Sequence, residues 1–279
     1  MLVMAHGGGA VWNAHVNQAL APVRERIPLT LALGMADPST LQAALDSLRD
    51  QGVRTVAVVR LFISEASFRH QTEYLFGLRA DPPARAIVGH RMVQGTELPL
   101  LQLSGHILLD QEGLAGSSQV TQIVTDRAEA NAPGPAGTGV MLIAHGMGSE
   151  DENDSLLSAM EELGRELRSQ GYAEVQVATL REDWPAARTA AEQQIREAVA
   201  GMGERRDHVV VIPYRLFGFG PYADVLEGHD YVPTPGLLPH PLVTDWVADR
   251  VTASFCGAGL ASPLKPCPPT AGPDVRQPR

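Results

Sequence analysis

Leu2-Val3-Met4-Ala5-His6-Gly7-Gly8-Gly9 opens the chain, and its phrasing returns at Met141-Leu142-Ile143-Ala144-His145-Gly146-Met147-Gly148. Each copy is a short apolar run closed by Ala-His-Gly, with another glycine two residues further on. Four apolar residues ending in His-Gly read as a buried strand that delivers an imidazole to its carboxyl end. The following glycines permit a sharp turn and let a ligand come close to the backbone. Two such phrases in a chain of 279 residues predict a duplicated α/β unit with a histidine at the same place in each half.

Outward from the first copy, strand and helix patterns alternate. Ala10 to Arg26 reads as a helix with Pro22 as its flaw, and Leu29 to Gly34 as a strand covered on both faces. Pro38-Ser39-Thr40 opens a helix through Leu48 with Ser39 as a plausible N-cap. Thr55 to Ile63 is the next strand, with Arg60 set inside it, and Ser67 to Phe76 a helix. Ala86 to Gly89 suggests an edge strand and Leu98 to Leu109 a helix. The breaker-rich stretch around Asn131-Ala132-Pro133-Gly134-Pro135-Ala136-Gly137 reads as a linker.

The second half repeats the order. Val140 to Ala144 is a strand, followed by the acidic run 149–154 and a long helix to about Ser169. Glu174 to Leu180 is a strand, Trp184 to Val199 a helix, and Asp207 to Phe217 the third strand. Gly218-Phe219-Gly220-Pro221-Tyr222 then leads into a short helix, and Pro241 to Ser254 forms a last one. Alternation of this kind predicts parallel sheets with right-handed crossovers. Domains are expected at 1–126 and 139–256, joined by a linker at 127–138. The segment 257–279, with many prolines and little apolar content, is expected to be a disordered tail.

The repeat reaches past the histidines. Arg60-Leu61-Phe62 in the first half matches Arg215-Leu216-Phe217 in the second, each at the end of a third strand. Ligands of open parallel sheets bind beyond the carboxyl ends of the strands, so the two histidines and two arginines are candidates for one kind of site. Neutral imidazole binds divalent first-row metals and accepts a proton near neutrality. An arginine fork suits a carboxylate.

Composition narrows the partners. A hydrophobic fraction of 44% suits a globular protein with a sizeable core. A net charge of −10 argues against nucleic acid as the main partner. No apolar run reaches the ~18 residues that cross a bilayer, and no signal peptide is expected before the first strand. Cys256 and Cys267 are the only cysteines, so neither a disulfide framework nor a cysteine metal site is predicted, and a reducing cytoplasm is the expected compartment. The Gly218-Phe219-Gly220 stretch lacks the lysine and glycine spacing of a phosphate-binding loop. His15, His90, His106, His208, His229 and His240 read as structural.

Taken together, the tandem Ala-His-Gly strands resemble the sirohydrochlorin cobaltochelatase/ferrochelatase family, the CbiX/SirB type of class II chelatases. In the second half, Val177-Ala178-Thr179-Leu180-Arg181-Glu182-Asp183-Trp184-Pro185 and Gly218-Phe219-Gly220-Pro221-Tyr222-Ala223 look like signature stretches of a divergent bacterial branch. The resemblance covers about residues 1–80 and 139–252. It implies two chelatase-like domains, each a mostly parallel sheet flanked by helices, facing across a cleft that holds a tetrapyrrole. It also implies a lyase-type chelatase that inserts Co²⁺ or Fe²⁺, and possibly Ni²⁺, in cobalamin or siroheme biosynthesis. The metal is substrate, no organic cofactor is expected, and the chain would act as a monomer or homodimer.

By this resemblance His6 and His145 bind the metal or take the pyrrole protons. Arg60, Arg215, Phe68, Phe219 and Tyr222 become substrate contacts. The family carries a second histidine about six residues past Phe62, where this chain has Phe68. His70, two residues later, and Glu65 in the same loop are the substitute ligands. The departure at Phe68 leaves an alternative: a catalytically impaired homologue that binds a tetrapyrrole or metal ion without inserting it.

Overall fold

The predicted alternation of strands and helices is realised in a computed structural model that describes residues 1–89, 91–95 and 97–269. The first half runs β1 (Leu2–Ala5), α1 (Ala10–Arg24), β2 (Thr30–Leu33), α2 (Pro38–Asp50), β3 (Thr55–Arg60), α3 (Arg69–Leu75), β4 (Arg85–Val88), β5 (Arg91–Gln94), β6 (His106–Leu109) and α4 (Ser118–Asn131). The second runs β7 (Thr138–Ala144), α5 (Glu150–Ser169), β8 (Glu174–Thr179), α6 (Pro185–Arg205), β9 (His208–Tyr214), α7 (Tyr222–Val225), β10 (Val232–Pro233) and α8 (Pro241–Gly257). One sheet has the order β2-β1-β3-β6, the other β10-β9-β7-β8. Every pairing within these two sheets is parallel. The two Ala-His-Gly phrases therefore end β1 and β7, each flanked by strands on both sides.

Period-two alternation divides the strand residues between three cores. Val3 and Ala5 of β1, Val140, Leu142 and Ala144 of β7, and Val210 and Ile212 of β9 share one cluster with residues of α1, α4, α5 and α8. Leu2, Met4, Val56 and Val58 point the other way and pack under α2. Met141, Ile143, Val209 and Val211 pack under α6. The inner faces of both sheets are thus buried in a single continuous core.

The last helix of each half completes the other half. α8 packs on α1, β3 and β6, while α4 packs on β9 and α5. Thr244 Oγ1 of α8 donates to the Ala19 carbonyl at 2.7 Å, and Arg250 donates Nε and Nη2 to Asp110 Oδ1 at 2.9 and 2.7 Å. The expected boundary at 126–139 consequently does not separate two self-contained bodies. The linker is shorter than the breaker pattern suggested, because α4, capped by Ser117 on Val120 N–H, continues to Asn131.

Three other expectations change. Leu98 to Leu109 is not a helix: Pro99 and Gly105 break it, and His106–Leu109 pairs as a parallel strand with β3. The edge strand near Ala86 belongs to a separate antiparallel ribbon, β4 with β5. Residues 258–269 are not disordered. Leu264 is buried, Arg26 donates to its carbonyl, Lys265 pairs with Asp249 at 2.5 Å, and Cys256 is bonded to Cys267. His90 and residues 270–279 lie outside the described part. No helix among the described residues is long and apolar enough to cross a membrane.

Two outcomes follow from this packing. Residues 1–126 expressed alone lack α8 over β3 and β6, so the fragment is expected to show no cooperative melt by circular dichroism, whereas the full chain melts cooperatively. Hydrogen bonds from Arg205 (2.6 Å) and Arg206 (3.1 Å), which tie the end of α6 to β8, hold the Glu174 carboxyl at about 2, below its ordinary 4.5. A depressed carboxyl stabilises the fold fully above pH ~4.5, and that contribution is lost as pH falls towards 2. Glu174→Gln should therefore cost on the order of 2 kcal/mol at pH 7 and little at pH 2, measured by denaturant unfolding at both.

Candidate functional site

The carboxyl ends of β1 and β7 carry the same imidazole device. His6 Nδ1 lies 2.7 Å from the Gly7 carbonyl oxygen, and His145 Nδ1 lies 3.0 Å from that of Gly146. A carbonyl can only accept, so Nδ1 carries the proton in both rings and Nε2 of the neutral form keeps a lone pair for a proton or a metal. The turn that makes this possible requires glycine. Gly146 has φ +90°, and a Cβ there would stand 2.9 Å from Arg181 Cδ.

What surrounds the two rings differs. His145 Nε2 is 3.3 Å from Asp183 Oδ2 and 4.0 Å from Glu182 Oε2. The indole of Trp184 meets the ring edge-on at 5.7 Å. These three residues leave the end of β8 through Arg181, a non-glycine residue in the left-handed region at φ +55°. The guanidinium of Arg181 holds that turn, donating to both carboxylate oxygens of Glu150 at 3.0 Å and to the Gly148 carbonyl at 3.3 Å. The acidic cap of α5 thus anchors the loop that presents Glu182 and Asp183.

Strand register equates Ala5 paired with Leu33 to Ala144 paired with Thr179. Counted from there, Ala36 occupies the place of Glu182 and Asp37 that of Asp183. Asp37 is buried and caps α2 in place of the expected Ser39, whose N–H donates to it at 2.9 Å. His6 is exposed, and no ion pair joins it to a described carboxylate. The sequence repeat is symmetric at this level; the electrostatics are not.

The predicted arginines also diverge. Arg60 is buried and donates to four carbonyls: Asp110 (3.3 Å), Ser67 (3.0 Å), Glu65 (2.8 Å) and Gln111 (2.7 Å). Burial, with Arg69 nearby, lowers its pKa to about 10. It staples two loops to the end of β3, which corrects its expected role as a substrate contact. Arg215 is partly exposed. Its Nη1 lies 3.4 Å from Glu182 Oε1 and its guanidinium sits 5.8 Å over the Tyr222 ring.

Other predicted residues find packing roles. Phe68, at φ +54°, lays its ring 5.2 Å from Phe62 and joins the outer core. His70 Nε2 lies 3.2 Å from Asp81 Oδ2, facing the loop after α3. Glu65 is exposed, and its carbonyl serves Arg60. Tyr222 is completely buried, so it floors the site rather than touching a substrate. Phe219 is partly exposed and stacks on Tyr231 at 5.8 Å with 9° between the rings. Among the described residues no three His, Cys, Asp or Glu side chains already surround one cation position. His6, His145, His70 and Glu65, the expected metal ligands, therefore do not assemble around one cation position. Glu182 and Asp183 lie inside the stretch 177–185, whose pattern alone gives neither of them a role. The usable signal was their place just past a parallel strand's carboxyl end.

No protein-family model and no curated protein matches the chain by sequence. Solved structures do match. SirB from Bacillus subtilis with Fe³⁺ superposes with a TM-score of 0.63 at 14% identity, covering 92% of this chain and 96% of that one. The sirohydrochlorin chelatase SirB from Bacillus subtilis subspecies spizizenii, in complex with cobalt, gives 0.58 at 14%, covering 91% and 93%. CbiX, the terminal enzyme for biosynthesis of siroheme in denitrifying bacteria, gives 0.54 at 17%, covering 90% and 96%. At these identities the likeness shows the fold: two parallel α/β sheets flanked by helices in the chelatase-like arrangement.

Proposed function

We propose that this protein is a metal chelatase that inserts Co²⁺ or Fe²⁺ into a sirohydrochlorin-like tetrapyrrole, and that the metal is received in the second half. One observation carries the reading: the His145 Nε2 lone pair is faced by the carboxylates of Asp183 and Glu182. A lone pair aimed at two anions is electrostatically unfavourable until a proton or a cation enters between them. A divalent first-row metal, which takes imidazole and carboxylate together, fits that gap. The solved structures of similar fold that hold Fe³⁺ or cobalt support the choice of metal.

Insertion replaces the protons on two pyrrole nitrogens with the metal, so it needs acceptors as well as a metal donor. His6, an exposed residue with the same Nδ1–H orientation, is the proton acceptor on the first-half side. Phe219, stacked on Tyr231 at the rim, offers an aromatic face to a flat macrocycle. A soluble compartment containing the tetrapyrrole pathway, the cytoplasm, is part of this reading.

A second reading is an impaired homologue that binds a tetrapyrrole or a metal ion without inserting it. The residue favouring it is Phe68, which stands where the resemblance expects a second histidine and packs its ring against Phe62 at the edge of the core.

Spectroscopic insertion assays with sirohydrochlorin and Co²⁺ or Fe²⁺ test the proposal. His145→Ala should lower the rate by at least ~100-fold and weaken metal binding. His6→Ala should lower the rate while leaving metal affinity close to that of the unaltered chain. Tetrapyrrole binding with no rate above the metal-plus-substrate control would establish the second reading instead.

A further inference from the structure

We infer that Arg215 is a competitor for Glu182 that keeps the metal position one ligand short, so that a captured ion is held loosely and can be passed on. The inference rests on the metal-uptake reading above and assigns Arg215 a role different from gripping a substrate carboxylate. Glu182 stands between two suitors. Its Oε1 is 3.4 Å from Arg215 Nη1, and its Oε2 is 4.0 Å from His145 Nε2. Its side chain is only 13% exposed and that of Arg215 28%, so the attraction between them is less screened than at an open surface. Asp183 is 69% exposed and 3.3 Å from the same imidazole nitrogen, and among the described residues no arginine forms an ion pair with it.

Arg215 is held where it is by its seat. Gly220 has φ +68°, and a Cβ there would stand 1.8 Å from Arg215 Nη1, so only glycine lets the guanidinium lie against that backbone. The ring of the buried Tyr222 lies beneath it at 5.8 Å, a distance at which its π face attracts the cation. The Gly218-Phe219-Gly220 loop, which fits no phosphate-binding pattern, thereby acquires a purpose: it fixes a cation beside the metal position.

The consequence is chemical. His145, Asp183 and Glu182 lie near one another, yet they do not close around a single point. A resident structural metal wants a complete ligand set. A substrate metal that must leave for four pyrrole nitrogens needs the opposite: weak initial capture and an easy exit. Arg215 supplies this by drawing one carboxylate away from the metal position. It is a positioning residue, acting through Glu182.

The test is a Co²⁺ titration of the full chain, followed by the visible d–d absorption, paired with transfer to sirohydrochlorin. Arg215→Gln is expected to bind Co²⁺ roughly tenfold more tightly and to transfer it more slowly. Loss of structure cannot produce tighter binding. Arg215→Lys, which keeps the charge, should restore affinity close to that of the unaltered chain. Gly220→Ala, which displaces the guanidinium without removing it, should shift affinity in the same direction as Arg215→Gln. In a Glu182→Gln background, Arg215→Gln should add nothing. Unchanged or weaker Co²⁺ binding by Arg215→Gln overturns the inference alone, and unchanged binding with a raised KM for the tetrapyrrole returns Arg215 to a substrate-carboxylate role. Absence of Co²⁺ binding by the unaltered chain overturns the metal-uptake reading and this inference with it.

Discussion

Burial of the inner faces of both sheets in one shared core is the constraint on which everything else depends. A parallel sheet must cover both faces. Here the outer faces are covered locally, by α2 on one side and α6 on the other. The inner faces are covered by an exchange, α8 crossing to β3 and β6 and α4 to β9. Each buried valine of α8 is worth roughly 1.5–3 kcal/mol of removed apolar surface, and Val243, Val247 and Val251 are all fully buried. The same packing fixes the two strand ends that carry the histidines, because β1 and β7 each have hydrogen-bonded neighbours on both sides.

Upon that symmetric frame the chain builds unequal sites. Both halves turn sharply after an imidazole whose Nδ1 is tied to the next carbonyl. Only the second brings acidic side chains to the free nitrogen. In the first half the corresponding aspartate caps a helix and the corresponding glutamate is an alanine. The arginines divide likewise: Arg60 is buried and donates to four carbonyls, while Arg215 remains able to meet another charge. A strand end keeps its position whatever loop follows it, so the two halves share a scaffold while their loops differ.

Much of the frame could be read from the residues. The Ala-His-Gly repeats, the apolar strand runs and the long helix after the acidic run 149–154 all lie where their patterns place them. The failures have local causes. Leu98 to Leu109 carries apolar residues at helix-like intervals, yet Leu98 and Leu101 are anchors of an irregular segment and the strand begins only at His106. The low-apolar, proline-rich end reads as disordered because its anchors are few: Leu264, one disulfide and a lysine pair. Helix exchange leaves no trace in periodicity, which reports that a face is buried but not against which partner. In the site, the repeated histidines were legible, whereas the distinction between Arg60 and Arg215 lay in surrounding carbonyls that no motif encodes.

The crossing of α8 also decides how the molecule can move. Its root follows β10 in the second half, while Trp246, Val247 and Val251 are sunk in the core that the two halves share. Swinging the halves apart as rigid bodies would draw that helix off β3 and β6 and wet an apolar interior, far costlier than a hinge that bends at a few exposed residues. The fold therefore behaves as a fixed vice rather than a jaw. Movement at the strand ends is left to the loops that follow them, chiefly 145–149 and 217–221, where Gly146, Gly218 and Gly220 adopt positive φ angles.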